Sequence, residues 1–332
     1  MKKTATIKDI ARELNLHHTT VSRALRNHPD VNERTRETVL KMADELNYEP
    51  NVFATGLRSQ KSKVIGIIVP EISHDFFSSI VSEITNRADE TGYSVMICQS
   101  NETPEREIEN VGALLSNRVA GIIAAISVNT SCYEHFERVL RRSTPLVFFD
   151  RVCHECDTDK VMLDFYGGAV QVVQHLIDQG YRRIAHVAGP TSLSGVQERV
   201  KGYTDTLQKN GLSVDERLIV HGGFLPEHGI FGVEKLLPHH PDALFCVDDQ
   251  VALGAMMRLR AEGFHIPEQI AIAGFDNDQI AQYVEPSLTT VDIRRTEMGQ
   301  AAVDLLIEQI CGKKRPFRTV RIKSELIVRA ST

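Results

Sequence analysis

Several things are missing from these 332 residues, and each absence removes a class of protein. No run of about 18 apolar residues occurs, so no membrane-spanning helix is expected. The opening MKKTATIKDIARELN has lysines but no apolar segment behind them, which argues against a secretory signal and predicts a cytoplasmic location. There is no low-complexity tract, and 42% hydrophobic with 25% charged residues is the make-up of a soluble globular chain. Glycine-rich phosphate loops, dinucleotide fingerprints, G-x-S-x-G and H-E-x-x-H are all absent, so nothing marks an enzyme. The 6 cysteines are scattered, mostly inside apolar runs, as reduced buried thiols would be. One C-x-x-C remains, Cys153-His154-Glu155-Cys156. A zinc site needs about four ligands and no second pair stands at a fitting distance, so a polar surface loop is the plainer reading and a metal or redox site the sharper one. No metal or other cofactor is expected.

What is present is uneven. The length calls for two or three domains. The net charge of −6 hides 12 Lys/Arg against 8 Asp/Glu in residues 1–63, a balance of +4, with 26 against 36 in the remainder, or −10. A basic head on an acidic body is the footprint of a first segment that meets a polyanion.

The head reads as three helices. Thr6-Ile7-Lys8-Asp9 has the form of a capping box, and Ile7, Ile10, Ala11 and Leu14 then share a face. A break at Asn15-Leu16-His17 is followed by a second helix from about His18 to Leu25, with Val21, Ala24 and Leu25 inward and His18, Thr19, Ser22, Arg23 and Arg26 outward. Two helices joined by so short a turn form a helix-turn-helix, whose second helix presents its N-terminal side chains to the major groove of DNA. Asn32 is placed to cap a third helix carrying Val39, Met42, Ala43 and Leu46, and Asn47-Tyr48-Glu49-Pro50 predicts its end, since a residue before proline avoids the helical region. A small helical interaction domain is the alternative.

The segments ATIKDIAREL, TTVSRALRN and LNYEPNVFATGLRS, in this order and spacing, resemble the N-terminus of the LacI/GalR family of bacterial transcription regulators. The resemblance implies base contacts from His18, Thr19 and Arg23, phosphate contacts from Thr20, Ser22 and Asn27, and a hinge helix over Asn51–Leu57. Arginine suits the base-reading role, since it can donate twice to guanine at about 1–3 kcal/mol of discrimination. Seven residues cannot hold a helix alone in water. In the family such a segment folds when two copies pair in the minor groove, which assigns DNA contacts to Asn51, Ala54, Leu57 and Arg58, with Leu57 as an apolar wedge.

From Val64 the pattern changes to short apolar runs alternating with helical stretches. Runs at 64–70, 93–98, 121–126, 145–150 and 160–164 read as buried strands, and a second set stands at 183–189, 217–223, 243–249 and 271–277. Helices are expected at Phe76–Glu90, Pro104–Asn117 and Cys132–Arg142, then near 194–210, 228–237, 249–262 and 295–311. The fold class predicted is thus an all-α helix-turn-helix domain followed by an α/β domain of two lobes with parallel sheets. The divisions are 1–50 for the head, 51–63 for hinge and linker, and 64–332 for the body.

In open α/β sheets ligands bind at the carboxyl ends of the strands, so a cleft between two such lobes is the natural site. An aspartate in that place is as readily the N-cap of the next helix. For Asp249 capping is preferred, and for Asp276 and Arg199 ligand contact. The body resembles the family's effector domain, itself similar to periplasmic sugar-binding proteins, through R-x-x-G-Y at 199–203, DDQVALGA at 248–255, AGFDN at 273–277 and PSLTTV at 286–291. The resemblance assigns effector contacts to Phe76, Phe77, Asp150, Arg151, Asp164, Arg199, Phe245, Asp248 and Asp276. Leu193 stands where purine-responsive members carry arginine, and Asp248 where many sugar-responsive members carry asparagine. An added carboxylate disfavours anionic effectors, which leaves a neutral sugar or polyol. The resemblance also implies a homodimer on a roughly palindromic operator in double-stranded DNA, since IVRAST lacks the leucine heptads that build tetramers. A free-standing sugar-binding protein of a transport system is the competing reading.

Overall fold

The computed structural model describes residues 5–48, 62–73 and 75–332, and the chain divides into two compact units at Ser62/Lys63. The expected hinge helix, with Asn51, Ala54, Leu57 and Arg58, lies outside the described residues. No helix among the described residues is long and apolar enough to cross a membrane.

In the first unit, α1 (Ile7–Glu13), α2 (His18–Ala24) and α3 (Glu33–Glu45) pack around Ile10, Val21, Ala24, Val31 and Val39. The capping box forms as read: Thr6 accepts from the Asp9 amide, and Asp9 answers to the Thr6 amide at 2.9 Å. Asn32 caps α3 by accepting from the Thr35 amide at 2.9 Å. All three helices stop in the same way. Asn15, Asn27 and Asn47 each take a left-handed backbone, with φ of 50°, 55° and 47°. The next residue's amide then turns back to the helix: Leu16 to Ala11 at 2.9 Å, His28 to Arg23 at 3.0 Å, Tyr48 to Ala43 at 2.8 Å. Asparagine tolerates this conformation where most side chains do not. It is Asn47, ahead of the proline, that ends α3.

The second unit contains two parallel sheets. In the first lobe, strands β1 (Val64–Val69), β2 (Ser94–Gln99), β3 (Gly121–Ala124), β4 (Leu146–Phe149) and β5 (Asp159–Leu163) alternate with α4 (Asp75–Glu90), α5 (Pro104–Ser116) and α6 (Glu134–Arg141). Most of β1 and all of β3, β4 and β5 are buried, as expected of strands covered on both faces. In the second lobe, α7 (Phe165–Asp178), β6 (Ile184–Ala188), α8 (Ser194–Lys209), β7 (Ile219–His221), α9 (Pro226–Leu236), β8 (Ala243–Cys246), α10 (Asp249–Ala261) and β9 (Ala271–Ala273) follow, with sheet order β7-β6-β8-β9.

The end of the chain departs from the expectation of two consecutive sets. Three strands were not read from the sequence, β10 (Thr290–Asp292), β11 (Thr319–Ile322) and β12 (Glu325–Ile327), nor was α7. After β10 the chain returns to the first lobe, where α11 (Arg295–Ile310) packs on α4 and β11 joins β5 to complete the order β11-β5-β4-β3-β1-β2. It then crosses again, and β12 pairs antiparallel with β10. Three crossings therefore join the lobes, one at Asp164, one at 293–294 and one at 323–324. They are bonded together: the Asp164 amide donates to the Ile322 carbonyl at 2.9 Å, and the Ser324 hydroxyl to the Asp164 carbonyl at 3.0 Å.

One close approach shapes the second lobe. A Cβ on Gly229 would stand 1.9 Å from the Val251 carbonyl oxygen, and one on Gly254 1.8 Å from that of Pro226. Only glycine on each helix lets α9 and α10 lie this near, and both helices start at the lobe's ligand-facing end. Gly254→Val is expected to lower the denaturation midpoint, at a cost of about 1–3 kcal/mol or more, because the clash is with backbone. A urea titration checks it.

Candidate functional site

On the head, the outward face of α2 carries His18 and Arg23, both exposed, with Thr19 and Thr20 half-buried beside them. His17 Nδ1 lies 2.8 Å from the Thr19 hydroxyl and orients it. Arg23 is 3.8 Å from Asp30, with more than half of each side chain exposed, a pairing weak enough for the guanidinium to exchange it for another partner. Asn27 is exposed, and its backbone closes the helix end. Ser22 corrects the outward assignment: it is 8% exposed. At three positions before Leu25 and one after Val21 it lies on the edge of the apolar stripe, and α2 is packed on both α1 and α3.

On the body, a cavity of about 500 Å³ opens between the lobes at the carboxyl ends of their strands. Seven of the nine expected effector residues line it: Phe76, Phe77, Asp150, Arg151, Arg199, Asp248 and Asp276. Asp150 follows β4, and Asp276 stands just beyond β9. Both have left-handed backbones, with φ of 56° and 102°. Such conformations cost of order 1–3 kcal/mol in residues other than glycine and persist where the surrounding structure requires them, often at ligand sites.

Arg199 is the centre of the arrangement. It rises from α8, 5% exposed, with its guanidinium carbon 4.2 Å from the ring centres of both Phe165 and Phe275. Nη2 stands 3.6 Å from Asp276 Oδ1, too far for a hydrogen bond, and neither that oxygen nor Arg199 Nε has a hydrogen-bond partner among the described residues. Two buried, opposite charges with unused hydrogen-bonding capacity face the same cavity. Burial pushes the Asp276 carboxyl up to about 7, against the pull of the Arg199 charge. Burial likewise raises Asp150 and lowers Arg199. On the opposite wall Arg151 is held at 2.7 Å by Glu102 and lies over the rings of Phe77 and Phe224, the latter from the other lobe.

The cap expected of Asp249 falls to Asp248. Asp248 caps α10 by accepting from the Val251 amide at 2.7 Å while still lining the cavity. Asp249 does not cap; it is fully buried and accepts from the Thr290 hydroxyl at 2.6 Å and the Asp278 amide at 2.7 Å. The helix already begins at Asp249, one residue earlier than a cap at Asp249 requires, so the Asp249 carboxylate turns instead to Thr290 and the Asp278 amide. Burial holds both carboxyls well above the usual range.

Two other expected contacts are absent from the lining. Asp164 caps α7 through the Gly167 amide at 2.9 Å and serves the crossing there. Phe245 is wholly buried, stacked on His186 at 4.4 Å, and backs Phe275 rather than facing the cavity. The Cys153/Cys156 pair is not on a polar surface loop either; both thiols are buried in the first lobe's core, and burial raises Cys156 to about 12. Between them His154 reaches the cavity. No cluster of metal-ligating side chains occurs among the described residues. Sequence reasoning missed Glu102, Tyr133, Phe165, Phe224, Gln250 and Asp278 in the lining. Glu102 and Phe224 follow the ends of β2 and β7, and strand-end position was the signal available for them.

A model of bacterial regulatory proteins of the lacI family matches residues 6–51, and one of a periplasmic binding protein-like domain matches residues 173–332. Over 333 residues the chain is 32% identical to the HTH-type transcriptional repressor CytR of Escherichia coli (strain K12), covering 99% of this chain and 96% of CytR. The chain belongs to the lacI family of bacterial regulatory proteins. It is also 31% identical over 329 residues to the repressor PurR of Vibrio campbellii, across 98% of each. Among solved structures, the lac repressor dimer bound to operator and the anti-inducer ONPF aligns with a TM-score of 0.89 at 27% identity, covering 99% of each chain. The transcriptional regulator CelR in complex with cellobiose aligns at 0.76, with 27% identity over 99% of this chain and all of that one. These alignments run through head and body together, so a free-standing sugar-binding protein is set aside. As a lacI-family regulator, the chain joins a DNA-reading head to an effector-binding body.

Proposed function

We propose that the protein is a dimeric repressor whose hold on a roughly palindromic operator is adjusted by a neutral sugar or polyol bound between the lobes. The division into residues 1–50, 51–63 and 64–332 is part of this reading. His18, Thr19 and Arg23 read bases; Thr20 and Asn27 hold phosphates; Asn51, Ala54, Leu57 and Arg58 complete the contact. Buried Ser22 is left out of the set. The likeness to a lac repressor dimer on its operator supports the DNA role, and the likeness to a cellobiose complex supports a carbohydrate effector.

The observation that carries the effector assignment is the pairing of Arg199 and Asp276, buried, incompletely bonded and facing one cavity. A hydroxyl can donate to the aspartate and accept from the arginine at once. Phe76 and Phe224 supply apolar faces for a sugar ring. Arg151 is already engaged by Glu102 and Arg199 faces Asp276, so each of these cations stands beside a carboxylate and an added anion gains little from either. The role inferred is binding rather than catalysis. Thermal-shift screening of the full chain against neutral sugars, polyols and their phosphate esters tests the class. Stabilisation by a neutral compound that also changes operator affinity is expected; binding by phosphate esters alone would overturn it.

On DNA, Arg23→Ala is expected to relax preference at one base position in each half-site, at about 1–3 kcal/mol there. Competition binding with single-base operator variants reads the change. An equal loss on every sequence would instead make Arg23 a phosphate contact.

A further inference from the structure

Arg151 and Arg199 are accounted for by the cleft. A third buried guanidinium, that of Arg295, is not. It is the first residue of α11, which packs on α4 and the first sheet, so it belongs to the first lobe. Its side chain is 14% exposed and reaches both lobes. Nη1 donates to Asp75 Oδ2 at 2.9 Å, at the start of α4. Nη2 donates to the Asp276 backbone carbonyl at 3.0 Å and to the Asp278 carboxylate, both in the second lobe. The Gln279 amide reaches the same Asp75 oxygen at 3.4 Å.

Arg295 does not line the cavity, but Asp75, Asp276 and Asp278 all do. What it grips in the second lobe is the strained turn, with φ of 102° at Asp276 and 54° at Asn277. Asp278 is fixed from behind, where its carboxylate accepts from Gln250 at 3.0 Å and its amide donates to Asp249 at 2.7 Å. A planar guanidinium donating in two fixed directions sets both distance and orientation between its partners, which a lysine cannot do.

We propose that Arg295 is a positioning residue that ties the Asp276–Asp278 turn of the second lobe to the start of α4 in the first, and so sets the spacing at which Asp276 meets the effector. This rests on the cleft being the effector site, but its first test needs no effector. Hydrogen–deuterium exchange is measured on the full-length protein alone, for wild type, Arg295→Met and Arg295→Lys. In Arg295→Met, amides of residues 75–80 and 276–282 are expected to exchange about tenfold faster together, with Arg295→Lys between the two. Faster exchange only in the first turn of α11, or no change in either segment, overturns the proposal. If Arg295→Met does not fold, Asp75→Ala removes the acceptor at the start of α4 that both Arg295 and the Gln279 amide reach. Residues 276–282 must then loosen although the substitution lies in the other lobe, and their remaining protected overturns it. Once an effector is in hand, Arg295→Met should weaken its binding about tenfold with partial recovery in Arg295→Lys. Unchanged affinity overturns the positioning role, whereas failure to find any effector bears on the cleft reading alone.

Discussion

Arg199→Met is expected to leave a protein that still occupies its operator but no longer responds to the effector. The guanidinium stands 3.6 Å from Asp276 Oδ1, and its Nε, without a hydrogen-bond partner among the described residues, can donate to a ligand. A hydrogen bond to a charged group is worth about 1.5–3 kcal/mol, so losing it weakens effector binding by roughly 10- to 150-fold. Operator titrations with and without effector would then coincide. The cost to the fold should depend on pH. Removing one partner of a buried pair costs about 3–5 kcal/mol when the other stays charged. Asp276, already pushed up to about 7, can instead take a proton. The variant should therefore melt closer to wild type at pH 6 than at pH 8. An equal loss at both values would show that Asp276 is not the group left uncompensated.

Raising the pH from 6 to 8 should strengthen effector binding and weaken the unliganded fold. Asp276 has its carboxyl raised from an ordinary 3.8 to about 7, chiefly by burial. The folded chain therefore holds a proton that the unfolded chain has released. That contribution to stability is complete below the unfolded value and is lost as pH climbs through about 7. Asp150, Asp248 and Asp249 are raised by burial too and add in the same direction. An effector whose hydroxyls donate to ionised Asp276 favours the deprotonated form, so its affinity rises over the same range, by at most tenfold per pH unit for one proton. Asp276→Asn should flatten that dependence, since the amide does not titrate. Calorimetric titration at three pH values, in buffers of different ionisation heat, counts the proton released. An affinity independent of pH in the wild type would separate Asp276 from the effector.

How much of this was legible beforehand varied with the kind of signal. The head was read almost completely, because its determinants are local: a capping box at Thr6 and Asp9, a cap at Asn32, and apolar residues at helical spacing. Ser22 was the exception, since which edge of a seven-residue helix is covered depends on two neighbours rather than on the helix. In the body, the aspartates that end strands were visible, but capping and ligand contact require the same residue in the same place. Asp164 and Asp249 could be told from Asp150 and Asp276 only by where their side chains go.

The amino-acid order by itself determined the two-unit organisation, the alternation of strand and helix, and the family, because periodicity, caps and motif spacing are properties of neighbouring residues. Tertiary structure decided which lobe each late element joins. α11 and β11 follow the second lobe in the chain yet complete the first, since a parallel sheet takes its edge strand from whichever crossing buries an apolar face. It likewise decided that Arg295, separated by 220 positions from Asp75, should meet it within the first lobe while reaching the Asp276–Asp278 turn of the second. A pairing made by three chain crossings has no period in sequence, and only the folded chain displays it.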